Sequence, residues 1–109
     1  MKPIKKTVSM NKLELEYSQH LERMKKAGHI IDWRFNSLRF KLGSGAWYKP
    51  DFFVIYKDRF ELHETKGFMR EAANVRLKVA AELYPWFNWV VIRRARGRFT
   101  FEGEVVNPK

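Results

Sequence analysis

The apolar residues of the chain recur first at helical and then at strand-like spacing, and these changes of spacing divide it into elements. The first apolar stripe consists of Leu13, Tyr17, Leu21 and Met24. It predicts a helix over 12–27. Asn11 and Glu14 have the spacing of a capping box at its start, and Gly28 is a typical stop at its end.

Strand-like segments follow this helix. Runs rich in β-branched and aromatic residues predict strands over 31–35, 38–42, 51–56 and 59–66, with a turn at 43–45. An Ala-rich segment predicts a second helix over 69–84, which Pro85 ends. Its expected apolar stripe consists of Ala72, Val75, Val79 and Leu83. The continuous apolar run 87–93 predicts a buried strand, and a short strand over 98–101 completes the order.

This order predicts an α/β (α+β) fold in which a mixed sheet is flanked by helices. Residues 1–10 are expected to form a basic arm and residues 11–109 a single domain. The chain has no cysteine, which excludes disulfides and thiolate zinc sites. Its apolar runs are far shorter than the roughly 20 residues that cross a bilayer, and no signal peptide is evident, so we expect a cytoplasmic protein.

The segment 50–66 places charged residues where a buried hairpin is expected. If Lys57 and Asp58 form a two-residue turn, residues on one face pair across the two strands. The facing pairs are then Ile55 with Phe60, Phe53 with Leu62, and Asp51 with Glu64. The apolar pairs predict that this face is the buried one, and Lys66 falls on it as well. We therefore expect two carboxylates and an ammonium group together at the open end of the hairpin.

Two carboxylates in facing positions repel each other and destabilise a sheet unless a cation lies between them. Oxygen donors without cysteine favour a hard ion, so a Mg²⁺ or Mn²⁺ site is predicted at Asp51 and Glu64. The residues leave one alternative open, which is a salt bridge of Lys66 with either carboxylate at the rim of the sheet. His63 should point to the opposite face, where we expect a packing or surface role.

The same residues resemble a known signature. Pro50-Asp51 followed by Glu64-Thr65-Lys66 is similar to the P-D…(D/E)-x-K motif of the PD-(D/E)XK nuclease superfamily. The segments 48–52 and 64–67 resemble the Y-x-P-D-F and E-T-K-G segments of phage endonuclease I-type Holliday-junction resolvases. Residues 11–14 resemble the helical S-x-L-E of that family, with Asn11 in place of Ser. The resemblance covers most of the chain.

The resemblance implies a restriction-endonuclease-like αβββαβ core, one or two Mg²⁺ or Mn²⁺ ions per site, and a homodimer that acts on branched DNA. It implies that Asp51, Glu64 and the carbonyl group of Thr65 ligate the metal. Lys66 would orient or help to deprotonate the attacking water and would offset charge in the transition state. Glu14 would support a second metal ion or the water. No small-molecule cofactor and no membrane partner is expected.

The charge of the chain favours a nucleic-acid partner. Its 22 Lys and Arg residues against 12 Asp and Glu give a net charge of +10, and a field of that sign attracts polyanions. The candidate DNA contacts are Lys49, Arg93, Arg94, Arg96 and Arg98. Of the four tryptophans, Trp47 beside the turn at 43–45 has the position best suited to base stacking.

The predicted activity is Mg²⁺-dependent hydrolysis of phosphodiester bonds by a phage Holliday-junction or branched-DNA endonuclease acting in the host cytoplasm. A homodimer interface is predicted on the first helix, through Leu15 and Met24. Two other functions remain open. One is a nuclease of the same fold that nicks or cuts other DNA structures. The other is a non-catalytic basic nucleic-acid-binding module in which Asp51, Glu64 and Lys66 form an ion-pair cluster.

Overall fold

The computed structural model describes residues 9–66, 71–95 and 100–106. Two helices and seven strands lie within these ranges. They are α1 Lys12–Lys26, β1 Asp32–Phe35, β2 Phe40–Gly43, β3 Ala46–Tyr48, β4 Phe52–Ile55, β5 Phe60–Thr65, α2 Glu71–Leu83, β6 Asn88–Arg94 and β7 Phe101–Val106. The arm predicted at 1–10 lies mostly outside the described residues.

Five of the strands form one sheet in the order β1-β4-β5-β6-β7. Neighbouring strands are antiparallel except β5 and β6, which are parallel. A parallel pair needs a crossover connection, and α2 lies in the chain between these two strands. The strands β2 and β3 form a separate two-stranded sheet. The protein is therefore an α+β fold with a mixed sheet and two helices, as the order of elements predicts.

The register predicted for the central hairpin is confirmed. Phe53 pairs with Leu62 and Ile55 with Phe60. The N–H of Tyr56 donates to the carbonyl of Arg59 at 2.9 Å, which closes the turn over two residues. A turn of this length fixes which residues face each other, and so it fixes the positions at the far end of the hairpin.

The middle strands β4, β5 and β6 are largely buried on both faces, whereas the sequence predicts only one buried face for the hairpin. On one side, the core consists of Phe40, Tyr48, Leu62, Leu77, Ala80, Ala81, Trp89 and Val91. On the other side, it consists of Tyr17, Leu21, Ile30, Phe52, Val54, Val90 and Ile92. The helix α1 covers the face that carries Phe52, and α2 covers the face that carries Leu62. A strand enclosed on both faces loses the alternation of apolar and polar residues that identifies a single buried face.

The helix α2 uses a different face from the one predicted. Val75 and Leu83 are exposed, and the buried positions are Leu77, Ala80 and Ala81. The small alanine side chains let the helix approach the sheet closely, whereas the predicted stripe includes the larger Val75 and Leu83, which face solvent. Neither helix of the described ranges is long and apolar enough to cross a membrane.

Two strands differ from the sequence-based prediction. The strand β3 was not predicted, because its three residues lie next to a glycine-rich turn. The last strand was predicted over 98–101, but β7 begins at Phe101 and residues 96–99 lie outside the described ones. β7 lies at the edge of the sheet beside β6 and is largely exposed, so its sequence lacks the apolar alternation of a covered strand.

Replacement of Asn11 by Ala tests the start of α1. Its side chain accepts from the N–H of Glu14 at 2.8 Å, and the Glu14 carboxylate accepts from the N–H of Asn11 at 2.9 Å. Loss of such a cap lowers the free energy of unfolding by about 1 kcal/mol. Urea denaturation should show this loss for Asn11→Ala and little change for Gln19→Ala, an exposed position in the same helix. Equal stability of both variants would contradict the assigned cap.

Candidate active site

The candidate site lies where β4 begins and β5 ends. Asp51 directly precedes β4, and Thr65 is the last residue of β5. The N–H of Asp51 donates to Oε1 of Glu64 at 3.2 Å. In return, Oδ2 of Asp51 accepts from the N–H of Thr65 at 2.9 Å and from its hydroxyl group at 2.8 Å. Asp51 is thus bound to the end of β5, next to Glu64.

The two carboxylates have different hydrogen-bond partners, although the N–H of Asp51 keeps the two residues adjacent. Glu64 lies on the side of the sheet that carries Tyr48 and Leu62. The Asp51 carboxylate turns instead to Thr65, whose side chain alternates with that of Glu64. Alternation along β4 predicts both carboxylates on one face, but Asp51 lies just before the strand and its carboxylate is bound to Thr65.

Tyr48 is a site residue to which the sequence analysis gave no role. Its hydroxyl group donates to Oε1 of Glu64 at 2.7 Å, and the residue is buried. Burial, and then the charge of Glu64, raise the pKa of Tyr48 well above its usual value of 10, so the hydroxyl group keeps its proton. The signal in the sequence is the place of Tyr48 at the start of the segment 48–52, which resembles the Y-x-P-D-F segment.

Glu64 has an unusual protonation equilibrium. Its burial and the nearby charge of Asp51 raise its pKa from 4.5 to about 7. The hydrogen bond from Tyr48, the charge of Lys66 and the N–H of Asp51 act in the opposite direction and offset only part of this rise. Glu64 is therefore only partly ionised at neutral pH in the metal-free protein, and a cation bound nearby would favour its ionised form.

Lys66 directly follows β5 and is hydrogen-bonded to the neighbouring strand β6, which holds this residue at the site. Its N–H donates to the carbonyl of Ile92 at 2.9 Å, and the residue is only 8% exposed. Its charge lowers the pKa of Glu64, so the two groups act on each other. Among the described residues, however, Lys66 forms no salt bridge with Asp51 or Glu64. The rim ion pair that the sequence left open is therefore not formed.

Glu14 approaches the same site from α1. Burial raises the pKa of Glu14, the hydrogen bond with Asn11 lowers it, and the nearby Asp51 carboxylate raises it again. The first turn of α1 therefore lies against Asp51. The Glu14 side chain therefore caps α1 and also lies close to the candidate site.

The site contains oxygen donors of the kind that a hard divalent ion prefers. Asp51 and Glu64 provide carboxylate oxygens at neighbouring positions. In the parts of the chain that the structure describes, no three His, Cys, Asp or Glu side chains form a ready group of metal ligands. Mg²⁺ commonly uses only one or two protein carboxylates and retains several waters, so this sparse set is compatible with it.

His63 belongs to a separate network on the α1 side of the sheet. The Tyr17 hydroxyl group lies 2.7 Å from its Nδ1, and Oε1 of Glu61 lies 2.9 Å from its Nε2. Burial raises the pKa of Glu61, but hydrogen bonds from His63, Arg59 and Asn88 outweigh this effect and lower the pKa to about 2. His63 is buried and has partners on both ring nitrogens, in keeping with the expected packing role.

The predicted DNA contacts lie in different surroundings. Lys49 is exposed two residues before Asp51. Arg94 forms an ion pair with Glu16, and Arg93 forms one with Glu104 at 3.4 Å. Carboxylates of the chain thus offset part of this charge, while Arg96 and Arg98 lie outside the described residues. The DNA-binding role of these residues stays a prediction.

Glu64 should give the metal-free protein a distinctive pH dependence. Its pKa rises from 4.5 to about 7 on folding, so between these values the folded state holds a proton that the unfolded state releases. The resulting stabilisation is complete below about pH 4.5 and is lost as the pH rises through about 7. Urea denaturation in EDTA should follow the free energy of unfolding as the pH rises from about 4.5 to above 7. Over this range, the value for the wild type should fall by on the order of 3 kcal/mol relative to that for Glu64→Gln. A difference that does not change with pH would contradict the assigned environment.

Comparison of the chain with family models, with curated proteins and with solved structures gave no match. The functional interpretation therefore depends on the site itself. The relevant features are the bonded pair of Asp51 and Thr65, the neighbouring Glu64 with its raised pKa, and the nearby ammonium group of Lys66.

Proposed function

We propose that the protein is a metal-dependent DNA endonuclease of the PD-(D/E)XK type. The observation that carries this proposal is the meeting of Asp51 and Glu64 at the end of one hairpin, with Lys66 close enough to lower the pKa of Glu64. Three charged groups in a partly buried site are costly unless they serve a ligand, because each of them loses hydration. A divalent ion and a phosphate group together match these charges.

The arrangement of the elements supports the same assignment. The elements α1, β1, β4, β5, α2 and β6, taken in chain order, form the αβββαβ series that this superfamily would require. The hairpin of β2 and β3 is then an insertion between the first two strands of the series. The parallel pairing of β5 with β6 leaves the end of β5 beside an inner strand, which gives the site a rigid base.

In this proposal, Asp51, Glu64 and the Thr65 carbonyl group hold one Mg²⁺ or Mn²⁺ ion. When bound, such an ion lowers the pKa of water and offsets negative charge on phosphate oxygens. The hydrogen bonds from Thr65 and Tyr48 fix the two carboxylates in place, so little reorganisation accompanies binding.

Lys66 and Glu14 have complementary parts in the proposed reaction. Lys66 follows Glu64 by two residues, which corresponds to roughly 6–7 Å along an extended strand, so its ammonium group reaches the same phosphate. There it orients the attacking water, helps to deprotonate that water through its positive charge, and offsets charge on the phosphate. Glu14, which lies close enough to Asp51 for that carboxylate to raise its pKa, holds the water or a second ion.

Branched DNA is the proposed substrate and a homodimer the proposed assembly, because resolving a junction takes two cuts and a symmetric dimer has two equivalent sites. Leu15 on α1 is 49% exposed and is available for an interface. Met24, the other predicted contact, packs partly against the core around Leu21. Light scattering should give twice the chain mass for the wild type, and Leu15→Glu should shift it to the monomer. A monomeric wild type would contradict the dimer and leave the nuclease proposal in place.

The function is tested by incubating the purified chain with matched four-way-junction, nicked and linear DNA, in Mg²⁺ and in EDTA. We expect cleavage only with Mg²⁺, and faster cleavage of the junction than of the linear duplex. Equal cleavage of all three would indicate a nuclease with another target. Tight binding without cleavage in any metal would favour the non-catalytic basic module, which the net charge of +10 also supports.

A further inference from the structure

The β2–β3 hairpin, residues 39–49, has one apolar and one basic face. Its inner face packs against the core through Phe40, Tyr48 and the partly buried Leu42. Its outer face carries Arg39, Lys41, Trp47 and Lys49, and all four residues are exposed. This separation follows from alternation along two paired strands, in which Lys41 lies directly opposite Trp47.

The outer face is a concentrated positive surface. The sequence contains no acidic residue between Asp32 and Asp51. In the described part of the chain, none of Arg39, Lys41 and Lys49 has a carboxylate within salt-bridge distance. This differs from the other basic cluster, where Arg93 and Arg94 are paired with acidic residues. Unneutralised cations at the surface are suited to phosphate groups.

Trp47 adds an aromatic ring to this charge. It is 45% exposed, with the Arg39 guanidinium 4.5 Å and the Lys41 ammonium 6.0 Å from the ring centroid. Cation–π contacts of this kind restrict the movement of all three side chains. An exposed aromatic ring next to cations is the combination that binds single strands, because bases stack on the ring while the cations contact the backbone.

The hairpin also lies close to the proposed active site. Tyr48, on its inner face, donates a hydrogen bond to Glu64, and only Lys49 and Pro50 separate Tyr48 from Asp51. Trp47 precedes Asp51 by four residues, so the chain allows at most about 14 Å between them. One DNA strand rises about 3.4 Å per nucleotide in a duplex, so a strand cut at Asp51 extends to Trp47 within about four nucleotides.

We propose that the outer face of the β2–β3 hairpin binds DNA beside the scissile phosphate, with an unpaired base stacked on Trp47 and Arg39 and Lys41 on the flanking phosphates. A base inside a duplex is covered on both sides by its neighbours, so only an unstacked base is available to the ring. The hairpin therefore selects DNA that has unpaired nucleotides next to the cut. This inference rests on the proposed nuclease function, and it adds a preference for unpaired nucleotides beside the cut to the proposed preference for a branched substrate.

The test measures binding in EDTA, so it does not depend on catalysis. Fluorescence anisotropy compares a forked duplex that has an unpaired arm with a fully paired duplex of the same length. Trp47→Ala should weaken binding of the forked DNA about tenfold or more and that of the paired duplex by about twofold at most. Trp86→Ala is the matched control, because Trp86 is 78% exposed and should leave both affinities unchanged.

The cationic part of the surface is tested by the double variant Arg39→Ala, Lys41→Ala. We expect both DNAs to bind more weakly. For the paired duplex, the slope of log K against log [salt] should become less negative by about 1.8, which is about 0.9 for each of the two lost phosphate contacts. The control removes Lys26 and Lys78, two exposed lysines on the helices. An equal effect of this control would show that only total charge matters and would overturn the assigned surface.

The outcomes separate this inference from the proposed function. Trp47→Ala behaving like Trp86→Ala, or weakening both DNAs equally, overturns the stacking site, even if the wild type cleaves DNA with Mg²⁺. A selective loss of forked-DNA binding upholds it, even if no cleavage is found. Circular dichroism confirms that each variant is folded, and Trp47→Phe should recover part of the affinity, because it retains an aromatic face.

Discussion

Replacing Lys66 by Ala, or Asp51 by Asn, is expected to reduce Mg²⁺-dependent DNA cleavage by about 10²–10³-fold or more while leaving DNA affinity largely intact. Lys66 is a buried residue whose charge acts on Glu64, and among the described residues it forms no salt bridge to Asp51 or Glu64, so its removal breaks no ion pair of the fold and takes positive charge from the site. Asn at position 51 retains an oxygen that can accept the bonds from Thr65 and lacks the negative charge for an ion.

The control for Lys66→Ala is Lys57→Ala, which removes the same charge from the exposed turn of the same hairpin. Single-turnover cleavage rates and anisotropy in EDTA should be measured on all three variants. We expect Lys57→Ala to retain wild-type cleavage. Normal rates for Lys66→Ala or Asp51→Asn would remove these residues from the proposed site, and a loss of binding as large as the loss of cleavage would assign them to DNA recognition instead.

Addition of Mg²⁺ should raise the melting temperature of the wild type. An ion that binds only the folded state at 100 times its Kd stabilises that state by about 2.7 kcal/mol, which corresponds to about 10 °C for a domain of this size. The shift should increase between pH 6 and pH 8, because Glu64, with a pKa of about 7, has to release its proton before it can ligate the ion.

Asp51→Asn and Glu64→Gln should lose this stabilisation, because each removes a charged donor. Asp58→Asn is the control, since Asp58 is an exposed carboxylate in the turn of the same hairpin. It should keep the full shift. An equal shift in all variants would show that Mg²⁺ binds elsewhere, and no shift in the wild type at millimolar Mg²⁺ would contradict a metal site that forms before DNA binds.

The central hairpin was predictable because its register depends on local information. Lys57 and Asp58 form a two-residue turn, and strict alternation then determines which residues pair. The approach of Asp51 to Glu64 follows directly from that register. The capping box at Asn11 and Glu14 is local in the same way, since both of its bonds form within one turn of helix.

Features that depend on distant contacts were not predictable. The buried face of α2 is set by the fit of Ala80 and Ala81 against the sheet, and the larger Val75 and Leu83 give a misleading apolar stripe. Likewise, the edge strand β7 is held by hydrogen bonding to β6 rather than by an apolar pattern of its own. Propensity and periodicity contain no information about which of two possible faces meets a neighbour.

The candidate site likewise combines residues that could be predicted from the sequence with contacts that could not. Sequence reasoning identified the charged residues, because they occupy positions of a hairpin that should be apolar. It missed the hydrogen bond from Tyr48 to Glu64, which joins residues 16 positions apart on different sheets. It also missed the turn of the Asp51 carboxylate toward Thr65, because a side-chain direction at a strand end depends on its partners rather than on alternation.

The central claim is that Asp51 and Glu64 form a metal site that supports DNA hydrolysis. Its most direct test is cleavage of a branched DNA by parallel preparations of wild type, Asp51→Asn and Asp58→Asn, each in Mg²⁺ and in EDTA. We predict cleavage by the wild type and by Asp58→Asn in Mg²⁺ alone, and none by Asp51→Asn in either condition. Three results would contradict the claim. They are wild-type cleavage in EDTA at the same rate as in Mg²⁺, cleavage by Asp51→Asn at the wild-type rate, and no cleavage by the wild type in Mg²⁺.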